Sequence, residues 1–170
     1  GGTTPPQKSS FVDRPATFIY PNAITRDSSG NLYVCDSSTI RKITPAGVVT
    51  TFAGAAGQMG STDGVGAAAR FSEPYGITID SSTNLYVCDI INHNIRKITP
   101  AGLVSTIAGA AGQNGFINGT GTNARFNQPI AITIDPSGNL YVCDRINFTI
   151  RKITPAGVVT NINNKHGYLN

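Results

Sequence analysis

The sequence predicts an all-β fold: a β-propeller of four-stranded antiparallel blades, with three blades in this chain, half of a six-bladed ring. Three observations lead there. The hexapeptide Asn-Leu-Tyr-Val-Cys-Asp stands at residues 31–36, 84–89 and 139–144, and Ile-Arg-Lys-Ile-Thr-Pro-Ala-Gly follows each copy, at 40–47, 95–102 and 150–157. The glycines closing those blocks, Gly47, Gly102 and Gly157, lie 102 − 47 = 55 and 157 − 102 = 55 residues apart, a period that marks a repeat architecture. Within each period, β-branched and apolar residues fall in four short runs separated by Asp, Ser, Asn, Gly and Pro, a pattern of strands and tight turns.

The middle copy gives the elements in order. Residues 76–80 (Gly-Ile-Thr-Ile-Asp) alternate apolar and polar and read as the first, innermost strand; 81–84 make a turn. Residues 85–88 are the second strand, 94–98 the third and 103–108 the fourth, with Thr-Pro-Ala-Gly at 99–102 as a tight turn. Four antiparallel strands per unit make a propeller blade. An Ala-x-Phe-x-x-Pro segment opens each blade at 16–21, 69–74 and 124–129. The chain therefore divides into an N-terminal extension (1–15), blades at about 16–68, 69–123 and 124–162, and a tail (163–170).

The succession P-x-[GA]-I-T-x-D, N-L-Y-V-C-D, N-x-x-I-R-K-I and G-x-V-x-T resembles the NHL-repeat family of β-propellers over about residues 18–162. That family usually carries Ala where Cys35, Cys88 and Cys143 stand. The first copy departs further: the stretch from Asp36 to Ile40 is two residues shorter than its counterpart and lacks the pair Asn92 and His93. The resemblance implies a propeller; some NHL domains bind RNA on a basic face, the family includes an amidating lyase, and metal-dependent lactonases and esterases are six-bladed relatives.

Composition narrows the choice. Of the 170 residues 39% are hydrophobic and only 13% charged; the net charge is +4 and most basic residues recur as Arg-Lys pairs in the repeats, a dispersed field rather than a basic tail. No apolar run reaches membrane-spanning length, so no membrane insertion is expected. The cysteines read as small buried hydrophobes: equivalent positions of neighbouring blades lie roughly 11 Å apart by strand spacing, beyond the ~7 Å reach of a disulfide. Low charge with abundant Thr, Asn and Gly suits an extracellular, surface or particle-associated setting.

The first-to-second-strand turns and the Thr-Pro-Ala-Gly turns scarcely differ between copies and look structural. On the opposite face the copies diverge, as a binding surface under a common frame would. The candidate binding residues there are Asn22, Tyr75 and Ile130 at the inner-strand entrances, and Ile90, Ile91, His93, Arg145 and Phe148 in the loops between second and third strands. Met59, Phe116 and Ile117 complete the set from the links between blades. Large apolar side chains of this kind anchor interfaces; packing beneath the loops is the alternative for Phe116 and Ile90. Asp36 with Arg41, Asp89 with Arg96 and Asp144 with Arg151 are expected to form one bidentate pair per blade, an architectural role. Two sequons, at Asn118 and Asn147, fall on this variable face.

No catalytic set, metal site or cofactor is expected, because His93 and His166 are the only histidines and the inner strands carry Asn22, Thr25, Thr78 and Thr133 rather than carboxylates. The expectation is a non-enzymatic binding or assembly module with a protein or glycan partner, and RNA as the alternative through the basic positions Arg145, Arg26, Lys8, Arg14 and Lys165, with Tyr75 or Phe148 to stack bases. An arc of three blades would expose apolar faces at both ends. It is expected to dimerise head to tail into a six-bladed ring; the rival is an excerpt of a longer propeller.

Overall fold

The computed structural model describes residues 17–162; the extension and tail expected at 1–15 and 163–170 lie outside the described residues. The first sheet is β1 (Pro21–Arg26), β2 (Leu32–Asp36), β3 (Thr39–Ile43) and β4 (Val49–Gly54), antiparallel and in sequence order. The second is β5 (Gly64–Val65), β6 (Pro74–Ile79), β7 (Leu85–Asp89), β8 (Asn94–Ile98) and β9 (Leu103–Gly109). The third repeats it with β10 (Gly119–Thr120), β11 (Pro129–Ile134), β12 (Leu140–Asp144), β13 (Thr149–Ile153) and β14 (Val158–Asn161). The inner strands β1, β6 and β11 pack side by side in that order, as blades do about an axis.

The second and third sheets have five strands where the sequence led us to expect four. The fifth comes from the link ahead: Gly64 and Val65 pair with Val104 and Leu103 on the outer edge of the second sheet, and Gly119 and Thr120 do the same on the third. A link returning from rim to axis must satisfy its own N–H and C=O groups, and running beside the outer strand does so. The Gly66 N–H then donates to the Gly102 carbonyl, and Gly121 to Gly157, each at 2.9 Å. Residues 64 and 65, placed with the first blade by the repeat pattern, thus hydrogen-bond to the second sheet.

The core lies between neighbouring sheets. Tyr33, Cys35 and Ile40 of the first meet Phe71, Leu85, Val87 and Ile98 of the second; Cys88 and Ile95 of the second meet Phe126, Leu140, Val142 and Ile153 of the third. Gly76 marks a close approach of two sheets, since a Cβ there would lie 2.6 Å from the Ile130 carbonyl oxygen, where the first and third copies carry Ala23 and Ala131. All three cysteines are free. Burial pushes the thiols of Cys35 and Cys88 up, which keeps them protonated. Cys143 is only half-buried, because no further sheet among the described residues covers it.

Each first-to-second-strand turn is tied by one aspartate. Asp80 accepts from the Asn84 backbone N–H (2.8 Å), the Asn84 amide (2.9 Å) and the Tyr86 hydroxyl (3.0 Å). Asp27 and Asp135 repeat the arrangement with Asn31 and Tyr33, and with Asn139 and Tyr141. Burial and the Asp80 hydrogen bond push the Tyr86 phenol up to about 12.

Candidate functional site

The variable face is built at the point where inner and second strands meet. In the first sheet Pro21 pairs with Asp36 and Ala23 with Cys35, so Asn22 is a bulged extra residue; Ile130 is bulged likewise between Pro129 and Ala131, and Tyr75 lies in the irregular stretch between Pro74 and Ile77. A bulge bends the strand and re-aims its side chain. Tyr75 is thereby exposed while the flanking Pro74 and Gly76 are buried.

Between the first and second sheets this face holds a cavity of about 360 Å³ lined by Tyr20, Asn22, Ser37, Met59, Glu73 and Tyr75. It brings together three of the sequence-derived candidates, Asn22, Met59 and Tyr75. Tyr20 and Glu73 were missed; Ser37 belongs to the short divergent loop between second and third strands of the first copy. The signal for Tyr20 and Glu73 is that one position of the Phe-x-x-Pro segment reads Tyr20, Glu73 and Gln128 in the three copies. Asn22 is anchored at the cavity, its amide donating to the Pro74 carbonyl at 3.3 Å. Ser37 and Glu73 both adopt positive φ, 54° and 61°. Gln128 does so at the place equivalent to Glu73, so there the conformation belongs to the scaffold, whereas the counterparts of Ser37, Ile90 and Arg145, do not share it and the longer loops turn at His93 and Phe148 instead.

The other candidates divide. Ile91, Ile117 and Phe148 are exposed, as is Arg145; none of them lines the cavity. Ile130 is half-buried. Ile90 is buried, held in the loop by backbone hydrogen bonds to the preceding segment, and so is no part of a surface. Phe116 is half-buried, with the Arg151 guanidinium 4.9 Å from its ring centroid. His93 is half-buried too, and its Nδ1 accepts from the Gln128 N–H at 3.1 Å. Burial holds this imidazole below its usual range, opposed by the charge of Asp144, and the acceptor role requires the neutral ring.

The Asp-Arg positions form latches more elaborate than the bidentate pair expected. Asp89 accepts from the Ser72 N–H on one oxygen (2.8 Å) and from Asn92 (2.7 Å) and Arg96 (3.1 Å) on the other. The second terminal nitrogen of Arg96 turns away to the Thr62 carbonyl and Asp63, at 3.1 and 2.8 Å. Arg96 thus ties strand, blade entry and inter-blade link together while lying over the Phe71 ring at 5.0 Å. Asp144, Asn147 and Arg151 repeat the latch around Asn127, Ile117 and Asn118. The geometry is not bidentate because the link carbonyls claim the other side of the guanidinium. In the first copy, whose loop is short and has no Asn92 counterpart, Arg41 lies 3.8 Å from Asp36. Burial pushes Asp89 up to about 6 against its hydrogen bonds and Arg96, and raises Asp144 likewise. Asn147 spends its amide on Gly115 and Asp144, so a glycan there would break the latch.

Among the described residues no three His, Cys, Asp or Glu side chains cluster as metal ligands, and no helix is long and apolar enough to cross a membrane.

A family model for the NHL repeat matches residues 126–153. Over 151 residues the chain is 34% identical to NHL repeat-containing protein 2 of Bos taurus, covering 80% of this chain and 21% of that protein; the chain spans about a fifth of the length of such curated relatives. A structural genomics protein of unknown function from Bacteroides thetaiotaomicron superposes with a TM-score of 0.68 at 35% identity, over 72% of this chain and 32% of its own. An auxiliary nutrient binding protein from the same organism gives 0.67 at 26% identity, over 82% and 37%. Neighbours below 25% identity include enzymes and share the fold alone. The triplicated motif, the three blade-like sheets and these relatives together place the chain in the NHL-repeat family of β-propellers.

Proposed function

We propose that this chain is a non-enzymatic binding module that offers its variable loop face to a protein or glycan partner and associates with itself through its terminal blades. The cavity lined by Tyr20, Asn22, Met59, Glu73 and Tyr75 carries the first half of that reading. Two tyrosine rings beside an amide and a carboxylate offer apolar stacking area and directional hydrogen bonds, the combination that holds a sugar ring or a protein side chain.

The placement of the acids supports binding over acid–base chemistry. Of nine acidic residues, Asp27, Asp80 and Asp135 tie turns, Asp36, Asp89 and Asp144 tie latches, and Asp63 pairs with Arg96. Asp13 lies outside the described residues and Glu73 is exposed in the cavity. The low charge suits an extracellular, surface or particle-associated setting.

Self-association is supported by the two end faces. Ile40 and Ile95 are fully buried between sheets, whereas their counterpart Ile150 is 38% exposed. At the other end Phe18, Ile24, Val34 and Ile43 line an apolar cavity of about 300 Å³. Covering an exposed side chain such as Ile24 contributes about 1.5–3 kcal/mol. Two copies joined head to tail would close a six-bladed ring with two equivalent seams.

Glycan-array and peptide-library binding, comparing the natural chain with Tyr75→Ala and Met59→Ala, tests the site; each variant should weaken a true ligand about tenfold or more. Ligands bound equally well by both variants would overturn it. A steep fall of RNA binding with salt, abolished by Arg145→Glu, would favour the RNA-binding alternative. Light scattering tests the assembly: twice 17.8 kDa supports closure, and a monomer or an open ladder of larger species counts against it.

A further inference from the structure

The two seams inside the chain show which residues meet when one sheet packs on the next. At the second seam Ile134 shares a groove with Asp80, Tyr86 and Lys97, while at the other rim the Gln128 N–H reaches His93. The first seam has the same plan: Ile79 packs in one cluster with Tyr33, whose hydroxyl is bound to Asp27, and Glu73 lines one cavity with Ser37. The repeat carries each of these positions to an outward face. Arg26 stands where Ile79 and Ile134 do, paired with Leu32 as they are with Leu85 and Leu140. Asp135 and Tyr141 stand for Asp80 and Tyr86, Tyr20 for Glu73 and Gln128, and Phe148 for His93.

The geometry points to a specific seam between two copies of this chain, in which Arg26 of one copy meets Asp135 and Tyr141 of the other at one rim and Tyr20 stacks against Phe148 at the opposite rim. The inference rests on the self-association proposed above and adds the residues that select it. It also makes the second copy part of the site, because Phe148 then abuts Tyr20, a wall of the Tyr20–Tyr75 cavity.

Three features favour a second copy as the occupant. The outward faces differ from the inner seams on both sides at once: the polar partners Gln128 and His93 become the aromatic partners Tyr20 and Phe148, which are 70% and 65% exposed in the single chain. The one charge introduced among the apolar positions, Arg26, falls opposite a carboxylate. The Asn139 amide holds that carboxyl below its usual range against slight desolvation, so Asp135 stays charged. Between the two rims lies matching apolar ground, Ile150 on one face and Phe18, Ile24, Val34 and Ile43 on the other. Lys152 lies over the Tyr141 ring at 5.9 Å, as Lys97 lies over Tyr86 at 5.8 Å in the closed inner seam, so its place is compatible with a covering sheet.

Sedimentation equilibrium of the full chain at low and high salt decides the matter, with folding of each variant checked by circular dichroism; the altered side chains are all exposed. The natural chain should dimerise with an affinity that falls as salt rises. Arg26→Glu should weaken the dimer about tenfold per seam, roughly a hundredfold for a ring with two. Arg26→Ile, which restores the inner-seam residue, should keep the dimer and remove its salt dependence, and Phe148→Asp should dissociate it. A dimer unchanged in affinity and salt dependence by Arg26→Glu and Phe148→Asp would overturn this seam and leave self-association standing. A natural chain that stays monomeric removes self-association, and the seam with it.

Discussion

Asp89 shows how far one residue is held from its solution behaviour. Its folded pKa of about 6 lies above the ordinary 3.8, so between those values the folded chain holds a proton that the unfolded chain has released. This group's contribution to stability therefore grows as pH falls from about 6 towards 4 and is lost as pH rises through that window; Asp144 acts in the same direction. Asp27 and Asp80 run the other way: although burial opposes it, hydrogen bonds from Asn31 and Asn84 lower their values, so their contribution is full above 3.8 and fades only in stronger acid. The melting temperature should hold or rise as pH is lowered from about 7 to about 5 and fall below about pH 4. Asp89→Asn should flatten the upper part of that profile, and an unchanged profile in the variant would contradict the assignment. Asn94 offers a second test. It is buried with both amide atoms lacking a partner among the described residues, where the other copies carry Thr39, bonded to the Asp36 carbonyl, and Thr149, bonded to Asn161. Asn94→Thr should stabilise the chain by about 1 kcal/mol in urea unfolding.

At the scale of the element, the three outer strands of a blade were legible and the links were not. The inner strand, expected at 76–80, runs Pro74–Ile79 because the bulged entrance also pairs. The runs 85–88, 94–98 and 103–108 fall within a residue of β7, β8 and β9 because alternation and β-branching report directly on a pleated, half-buried surface. β5 and β10 are two residues long, too short for any period, and Gly64 and Gly119 carry no strand preference. The latch shows a similar division. The Asp and Arg positions stand out by repetition, but Asn92 and Asn147, which bind the same carboxylates, stand out in two copies only. Arg96 holds an entire link by its hydrogen bonds, and its loss would strand the buried Asp89 charge. Arg96→Gln should cost about 3 kcal/mol or more and make the segment at 58–66 an early site of proteolysis. A loss well under 1 kcal/mol in denaturant titration would mean that the link stays bound without it.

For the whole molecule, sequence reasoning reached the family and the strand order, because each is written more than once in the chain. The cavity on the variable face was legible only in part. Tyr75 and Met59 show as large residues in differing loops, whereas Glu73 and Tyr20 become neighbours only when two sheets are set side by side. Burial beneath the loops was legible only as an alternative for Ile90 and Phe116, because residue type alone does not decide between inside and outside there; the structure buries Ile90 and leaves Ile91 exposed.

The outer-edge pairing of β5 and β10 bears on how such chains can be recombined. The repeat that is spelled in the sequence, from one Ala-x-Phe to the next, is out of phase with the sheet that hydrogen bonds define. Grafting residues 69–123 into another array would leave β5 behind and carry β10 to a sheet with no place prepared for it. The piece that travels with its ladder complete runs from just ahead of Gly64 to just beyond Gly109. Crossovers inside the loop that follows Gly109 would yield interchangeable parts. Crossovers at the Ala-x-Phe boundary would yield blades with a bare rim, ready to pair with one another.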